Sequence, residues 1–189
     1  AVSSGMQRVL GNRFDRLERQ RAELLRSLDA LDEAALHFRP ASGAWSALDV
    51  VEHLVIAEEL TVGALERNKV AVLPARSRLR TDVTLRIVVA LFAARRRLRA
   101  PVPQILPSGQ PWTLAELAAR WGEARCRAAG LLGPVMADRL GDRIVRHPIA
   151  GWLTRSQMLD FHRRHVNHHG RQLARLHHAR RQQARACPG

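Results

Sequence analysis

The stretch TRSQMLDFHRRHVNHHGRQLARL, residues 154–176, decides the fold. Thr154 followed three residues later by Gln157 has the form of a capping box, the reciprocal side-chain closure of a helix N-terminus. Beyond it Met158, Phe161, Leu173 and Leu176 mark one apolar row. Counting by four from Phe161 reaches His165 and then His169 before the row resumes at Leu173. Both imidazoles therefore sit on the core-facing stripe of one long helix, on successive turns about 6 Å apart along its axis. An i, i+4 histidine pair can close on a single ion, as in helical His-x-x-x-His zinc sites. The pattern predicts a helix from 154 to about 181.

The rest of the chain repeats the helical period. Residues 6–31 carry Val9, Leu10, Phe14, Leu17, Leu24, Leu25, Leu28 and Leu31 at three- and four-residue steps, with charges between them. Residues 38–43 read as a loop. Ser46 and Asp49 form a second capping box, with Asp in the place of the usual Glu, and start a helix to about residue 68. A stretch from 80 to 99 is apolar almost all round through Val83, Leu85, Ile87, Val88, Val89, Leu91 and Phe92, and ends in arginines at 95–97 and 99. Thr113 and Glu116 make a third box, opening a helix to about 132, where Gly133 and Pro134 stop it. Residues 136–151 read as a connection, without a strand. The expected fold is all-α, a four-helix bundle with one additional helix inserted between the second and third bundle helices. Residues 1–189 are expected to form a single domain, with an insertion at 70–111 and a disordered tail at 182–189.

Composition agrees with a bundle. Apolar residues make up 46% of the 189, with four Trp, four Phe and no Tyr, so the core is mainly Leu, Ala and Val. The formal charge is +14, and of 31 basic residues Lys69 is the single lysine. Such a charge attracts phosphate-bearing partners at low salt. The near-total use of arginine is equally consistent with codon bias. No aromatics interleave with the arginines for base stacking, and no nucleic-acid motif is present. The most apolar run, 87–94, is far shorter than a membrane span. Cys126 and Cys187 are too few for a disulfide framework, and a soluble, cytoplasmic protein with reduced thiols is expected. The 80–99 helix is apolar enough to serve as a homodimer interface.

His53 lies on the second helix with Val50 three before it, Ala57 four after and Leu60 seven after, which places it on an apolar face. Burying imidazoles without partners is costly, and a shared ion explains three of them together. The metal-ligating set is therefore His53, His165 and His169. A lone buried histidine is more often simply hydrogen-bonded, so the argument rests on the trio. His162 and His168 stand one step off the stripe, where they would either back the ligand rings or face solvent. His177 and His178 near the helix end, and His37 and His147 in loops, carry no assigned role. Asp49, one turn before His53, is the candidate to support the ligands unless it is occupied as the helix cap. Glu58, roughly 140° around the helix from His53, has no clear role there.

At this point the chain resembles a family. FRPASGAWS at 38–46, followed by VVEHL at 50–54, is similar to the opening signature of the DinB-like superfamily, where a Trp-Ser pair caps the second helix ahead of a histidine. HPIAGWLT at 147–154 resembles that family's HP-x-x-G-x-L-T approach to its last helix. His165-x-x-x-His169 with Gln172 and Leu173 resembles its H-x-x-x-H-x-x-Q-L ending. The resemblance spans nearly the whole chain in order, and implies a four-helix bundle with a three-histidine metal site. The 70–111 stretch is longer than the family's usual connection.

Three neutral imidazoles match the ligand count of catalytic rather than structural sites. Imidazole ligation suits zinc, nickel, copper or iron. One divalent ion is expected, zinc or nickel first and iron or manganese next. The resembled superfamily includes thiol-dependent S-transferases and isomerases. The expectation is thus a metal-dependent transferase joining a small-molecule thiol to an electrophilic substrate, or a related metal-assisted hydrolase. The alternative is a basic helical module binding nucleic acid or a protein partner, with a structural or vestigial metal site.

Overall fold

Three reciprocal caps set where the bundle helices begin. Ser46 N–H donates to Asp49 Oδ2 at 2.7 Å and Asp49 N–H to Ser46 Oγ at 3.2 Å. Thr113 N–H donates to Glu116 Oε2 at 2.8 Å and Glu116 N–H to Thr113 Oγ1 at 3.2 Å. Thr154 N–H donates to Gln157 Oε1 at 2.9 Å and Gln157 N–H to Thr154 Oγ1 at 3.3 Å. Each box satisfies amides that the helix itself leaves without partners.

The computed structural model describes residues 2–67, 105–132, 142–147 and 151–186. Among them are five helices and two strands: α1 (Val2–Asp29), α2 (Glu33–His37), α3 (Ala47–Arg67), α4 (Leu114–Leu132), β1 (Arg143–His147), β2 (Gly151–Thr154) and α5 (Arg155–Ala186). No described helix is long and apolar enough to cross a membrane. The helix expected at 80–99, and with it the homodimer surface, lies outside the described residues, as does Cys187; Cys126 is exposed and unpaired by disulfide.

The helical bundle forms as the periodicity predicts. Leu17, Leu24 and Leu28 turn one row of α1 inward, and α1 packs on α5 while α3 packs on both α4 and α5. The central core holds Leu28, Val50, Val51, Leu54, Val55, Leu117, Trp121 and Val166. Residues 50–55 of α3 are all buried, because this end of the helix is covered on every side. Further along, the expected face is wrong. Leu60 is 42% exposed, whereas Glu58, Val62 and Leu65 are buried. Glu58 takes an inward position because a guanidinium waits there, a pairing that apolar periodicity does not register.

Three other features depart from the sequence reading. Asp32 caps the short α2 by accepting from Ala35 N–H at 2.6 Å, inside what reads as the approach to a loop. Residues 182–186, expected as part of a disordered tail, continue α5. Where no strand is expected, β1 and β2 pair antiparallel, Val145 with Leu153, Arg146 with Trp152 and His147 with Gly151, with an irregularity between Arg143 and Val145. Strands of five and four residues are too short to show a period of two. A two-stranded hairpin is marginal by itself. Here Ile144, Val145 and Leu153 pack on Leu65, Met158, Leu159 and Phe161, and each buried side chain contributes about 1.5–3 kcal/mol. Tertiary burial therefore makes the strands.

Candidate metal centre

His53 on α3 and His165 and His169 on α5 meet as the spacing predicts. All three are buried, at 4%, 6% and 6% exposed, and their nearest ring nitrogens lie within 4.8 Å of one another. His53 Nε2 is 3.0 Å from His165 Nε2, and His169 Nε2 is 3.1 Å from the same atom. Trp45, just before the α3 cap, places its ring centroid 5.0 Å from His53 and 6.3 Å from His169. Phe161 stacks on His165 at 5.6 Å, and the His168 ring stands edge-on to His169 at 4.9 Å.

The hydrogen atoms on these rings can be placed from their partners. His53 Nδ1–H donates to the Ile105 carbonyl oxygen at 2.6 Å, and His169 Nδ1–H donates to Gln172 Oε1 at 2.8 Å. In a neutral imidazole that engages the one hydrogen, so Nε2 of each carries a lone pair. Both lone pairs face His165 Nε2, which has at most one hydrogen to offer. At least one of the two close contacts then sets lone pair against lone pair. A cation among the three nitrogens removes that repulsion, and the donor set fits a borderline-soft divalent ion. The trio can hold one metal ion.

Burial keeps the rings neutral and ready to ligate. It lowers His53 below 6.5, outweighing the Ile105 hydrogen bond that favours the charged form. It lowers His165 well below 6.5, with the neighbouring imidazoles adding to the effect, and pushes His169 down to about 3. His147 on β1, packed against Phe161 at 4.4 Å, is lowered to about 4 by burial and then by His162. For these groups the folded pKa lies below the unfolded value near 6.5. Their contribution is therefore fully present above pH 6.5 and is lost as pH falls toward the folded values. Each costs about 1.4 kcal/mol per pH unit in that window. Thermal unfolding of the metal-free protein is expected to show the melting temperature falling steadily from pH 7 to 4.5. A flat profile would mean that the rings take up protons at the same pH in the folded and unfolded protein.

The remaining candidates sort by contact. Asp49 is occupied: besides the cap it takes Arg39, Nη2 to Oδ1 at 3.0 Å and Nη1 to Oδ2 at 2.5 Å. The partners on the trio's rings are instead Ile105 and Gln172, and the sequence assigns a role to neither. Gln172 is visible in it as part of the terminal motif, three residues after His169. A backbone carbonyl 52 residues away from His53 leaves no side-chain signal to find. His162 is buried with Nδ1 3.9 Å from Glu58 Oε1, away from the trio's hydrogen bonds. His37 is exposed beside Glu33, and His177 and His178 lie near the end of α5.

Comparison with known proteins agrees with this architecture. A family model described as the DinB superfamily matches residues 16–173, a span that includes all three histidines. No curated protein and no solved structure matches the chain.

Proposed function

The chain belongs to the DinB superfamily, and from that premise we propose that it is a metal-dependent transferase of a small-molecule thiol to an electrophile, a metal-assisted hydrolase being the nearest variant. The observation that carries the reading is the convergence of three buried Nε2 atoms, two with their ring hydrogens engaged on the far side. His53, His165 and His169 would hold one divalent ion, zinc or nickel first and iron or manganese next. When bound, such an ion supplies Lewis acidity, acidifying a thiol or polarising a carbonyl.

The chain's own residues prepare that chemistry. Ile105 and Gln172 fix two of the three rings by holding their Nδ1 hydrogens, which selects the ligating tautomer. Phe161 packs on one side of the trio and Trp45 on another, limiting water around the nitrogens and strengthening electrostatics there. Burial holds the rings uncharged through neutral pH.

Protein reconstituted separately with zinc, nickel, iron and manganese is expected to speed conjugation of cysteine or glutathione to monochlorobimane. EDTA and His53→Ala should each return the rate to background. Silence with every metal, in protein shown to carry the ion, would overturn the transferase reading and leave the hydrolase variant to be tried on esters and amides.

A further inference from the structure

Glu52 immediately precedes His53, is 3% exposed, and faces a different neighbour. Its carboxylate accepts three hydrogen bonds, all from one short segment. Ser108 N–H donates to Oε2 at 3.2 Å, while Ser108 Oγ–H at 2.5 Å and Trp112 Nε1–H at 3.0 Å donate to Oε1. The same segment, 105–112, contributes the Ile105 carbonyl oxygen that receives His53 Nδ1–H. Two adjacent side chains of α3 are thus tied to one stretch of chain three residues apart.

The segment is shaped for this contact. Gly109 has φ of +77°, a left-handed turn that a side chain resists, directly after Ser108. Ser108 Oγ accepts from Gln110 N–H at 3.2 Å, and Trp112 N–H donates to the Gln110 carbonyl at 2.8 Å. On its other side Trp112 lies under Arg120, whose guanidinium carbon is 4.5 Å from the ring centroid. Arg120 is itself held by Glu59 through bonds of 3.1 and 2.7 Å.

We propose that Glu52 is a positioning residue of the metal centre: it clasps residues 105–112 onto α3 so that the Ile105 carbonyl holds His53 with Nε2 toward His165. The role rests on the metal reading above. A carboxylate is a costly way to anchor a loop, since burying a charge among neutral donors carries a desolvation penalty that a neutral acceptor avoids. A carboxylate one residue from His53 would instead favour a divalent ion held by three uncharged imidazoles.

Two variants test it. Glu52→Ala removes all three bonds, whereas Glu52→Gln can keep those at Oε1 and loses the charge and the Ser108 N–H acceptor. In metal-free protein, nitrogen-15 NMR of the imidazoles is expected to show His53 as one tautomer with hydrogen on Nδ1. In Glu52→Ala it should become a mixture, while His169, oriented by Gln172, stays unchanged. Zinc affinity should fall about 10–100-fold in Glu52→Ala and less in Glu52→Gln. If Glu52→Ala does not fold, Ser108→Ala with Glu52→Gln carries the same comparison. Folded variants with an unaltered His53 tautomer and wild-type zinc affinity would overturn the role. Wild-type protein that takes no metal would sink the metal reading, and the tautomer result would still judge the clasp by itself.

Discussion

Replacing His165 by alanine is expected to abolish metal uptake. His165 Nε2 is the atom that the other two rings approach, at 3.0 and 3.1 Å, so its loss leaves two nitrogens where the proposed site needs three. Wild-type protein should carry about one divalent ion per chain, as a three-histidine site requires. With free metal at a hundred times its dissociation constant, binding stabilises the fold by about 2.7 kcal/mol. In a domain of this size that raises the melting temperature by roughly 5–10 °C. The His165→Ala protein should show no ion by mass spectrometry and no such rise. Its metal-free melting temperature should move less, because removing the ring opens a small cavity but also relieves the crowding of lone pairs. An alanine variant that keeps its ion would place the metal somewhere other than between these three rings.

Arg125→Met should be the most damaging single change away from the histidines. Arg125, its side chain 3% exposed, grips Glu58 through Nε to Oε2 and Nη2 to Oε1, the latter at 2.5 Å, and reaches Glu18 Oε1 through Nη1 at 2.9 Å. Burial alone would raise the Glu58 carboxyl, but the guanidinium beside it holds it below its ordinary 4.5. Removing the cation strands a buried carboxylate, which costs about 3–5 kcal/mol. Thermal unfolding at pH 7 should show a drop of roughly 6–20 °C.

The pH dependence identifies the cause. In the wild type the Glu58 contribution is present above pH 4.5 and is lost as pH falls through the lower folded value. In Arg125→Met burial would raise the carboxyl above 4.5, so that protein is relatively favoured by acid. The gap between the two should therefore narrow as pH falls toward 4.5. The double variant Glu58→Leu/Arg125→Met should recover most of the loss, since a buried pair exchanged for apolar groups is often neutral. A constant gap across pH, with no recovery in the double variant, would assign the loss to packing around Trp121 and the neighbouring core instead.

The two sites differ in how far the sequence exposes them. His165 and His169 fall on a row defined by Phe161 and Leu173, so their inward direction follows from a period of 3.6. His53 is buried, as its apolar neighbours suggest, but partly for another reason. Ala57 and Leu60 point to its face, yet Leu60 is exposed and Glu58 is buried in its stead. Its true warrant is that residues 50–55 are buried all round, which a helix period cannot reveal.

What the sequence by itself determined is local. Capping boxes at Ser46, Thr113 and Thr154 set helix starts because the closure needs residues only three apart. The histidine spacing set which rings share a face for the same reason. Beyond the histidine trio, the tertiary structure decided what joins distant segments. The hairpin at 143–154 exists because the bundle buries Val145 and Leu153, not because its short strands prefer to pair. Arg125 finds Glu58 across 67 residues, and Ile105 and Ser108 find His53 and Glu52 across 52 and 56. Such contacts are fixed by packing and hydrogen-bond satisfaction in three dimensions, and polar pairs of this kind leave no periodic trace along the chain.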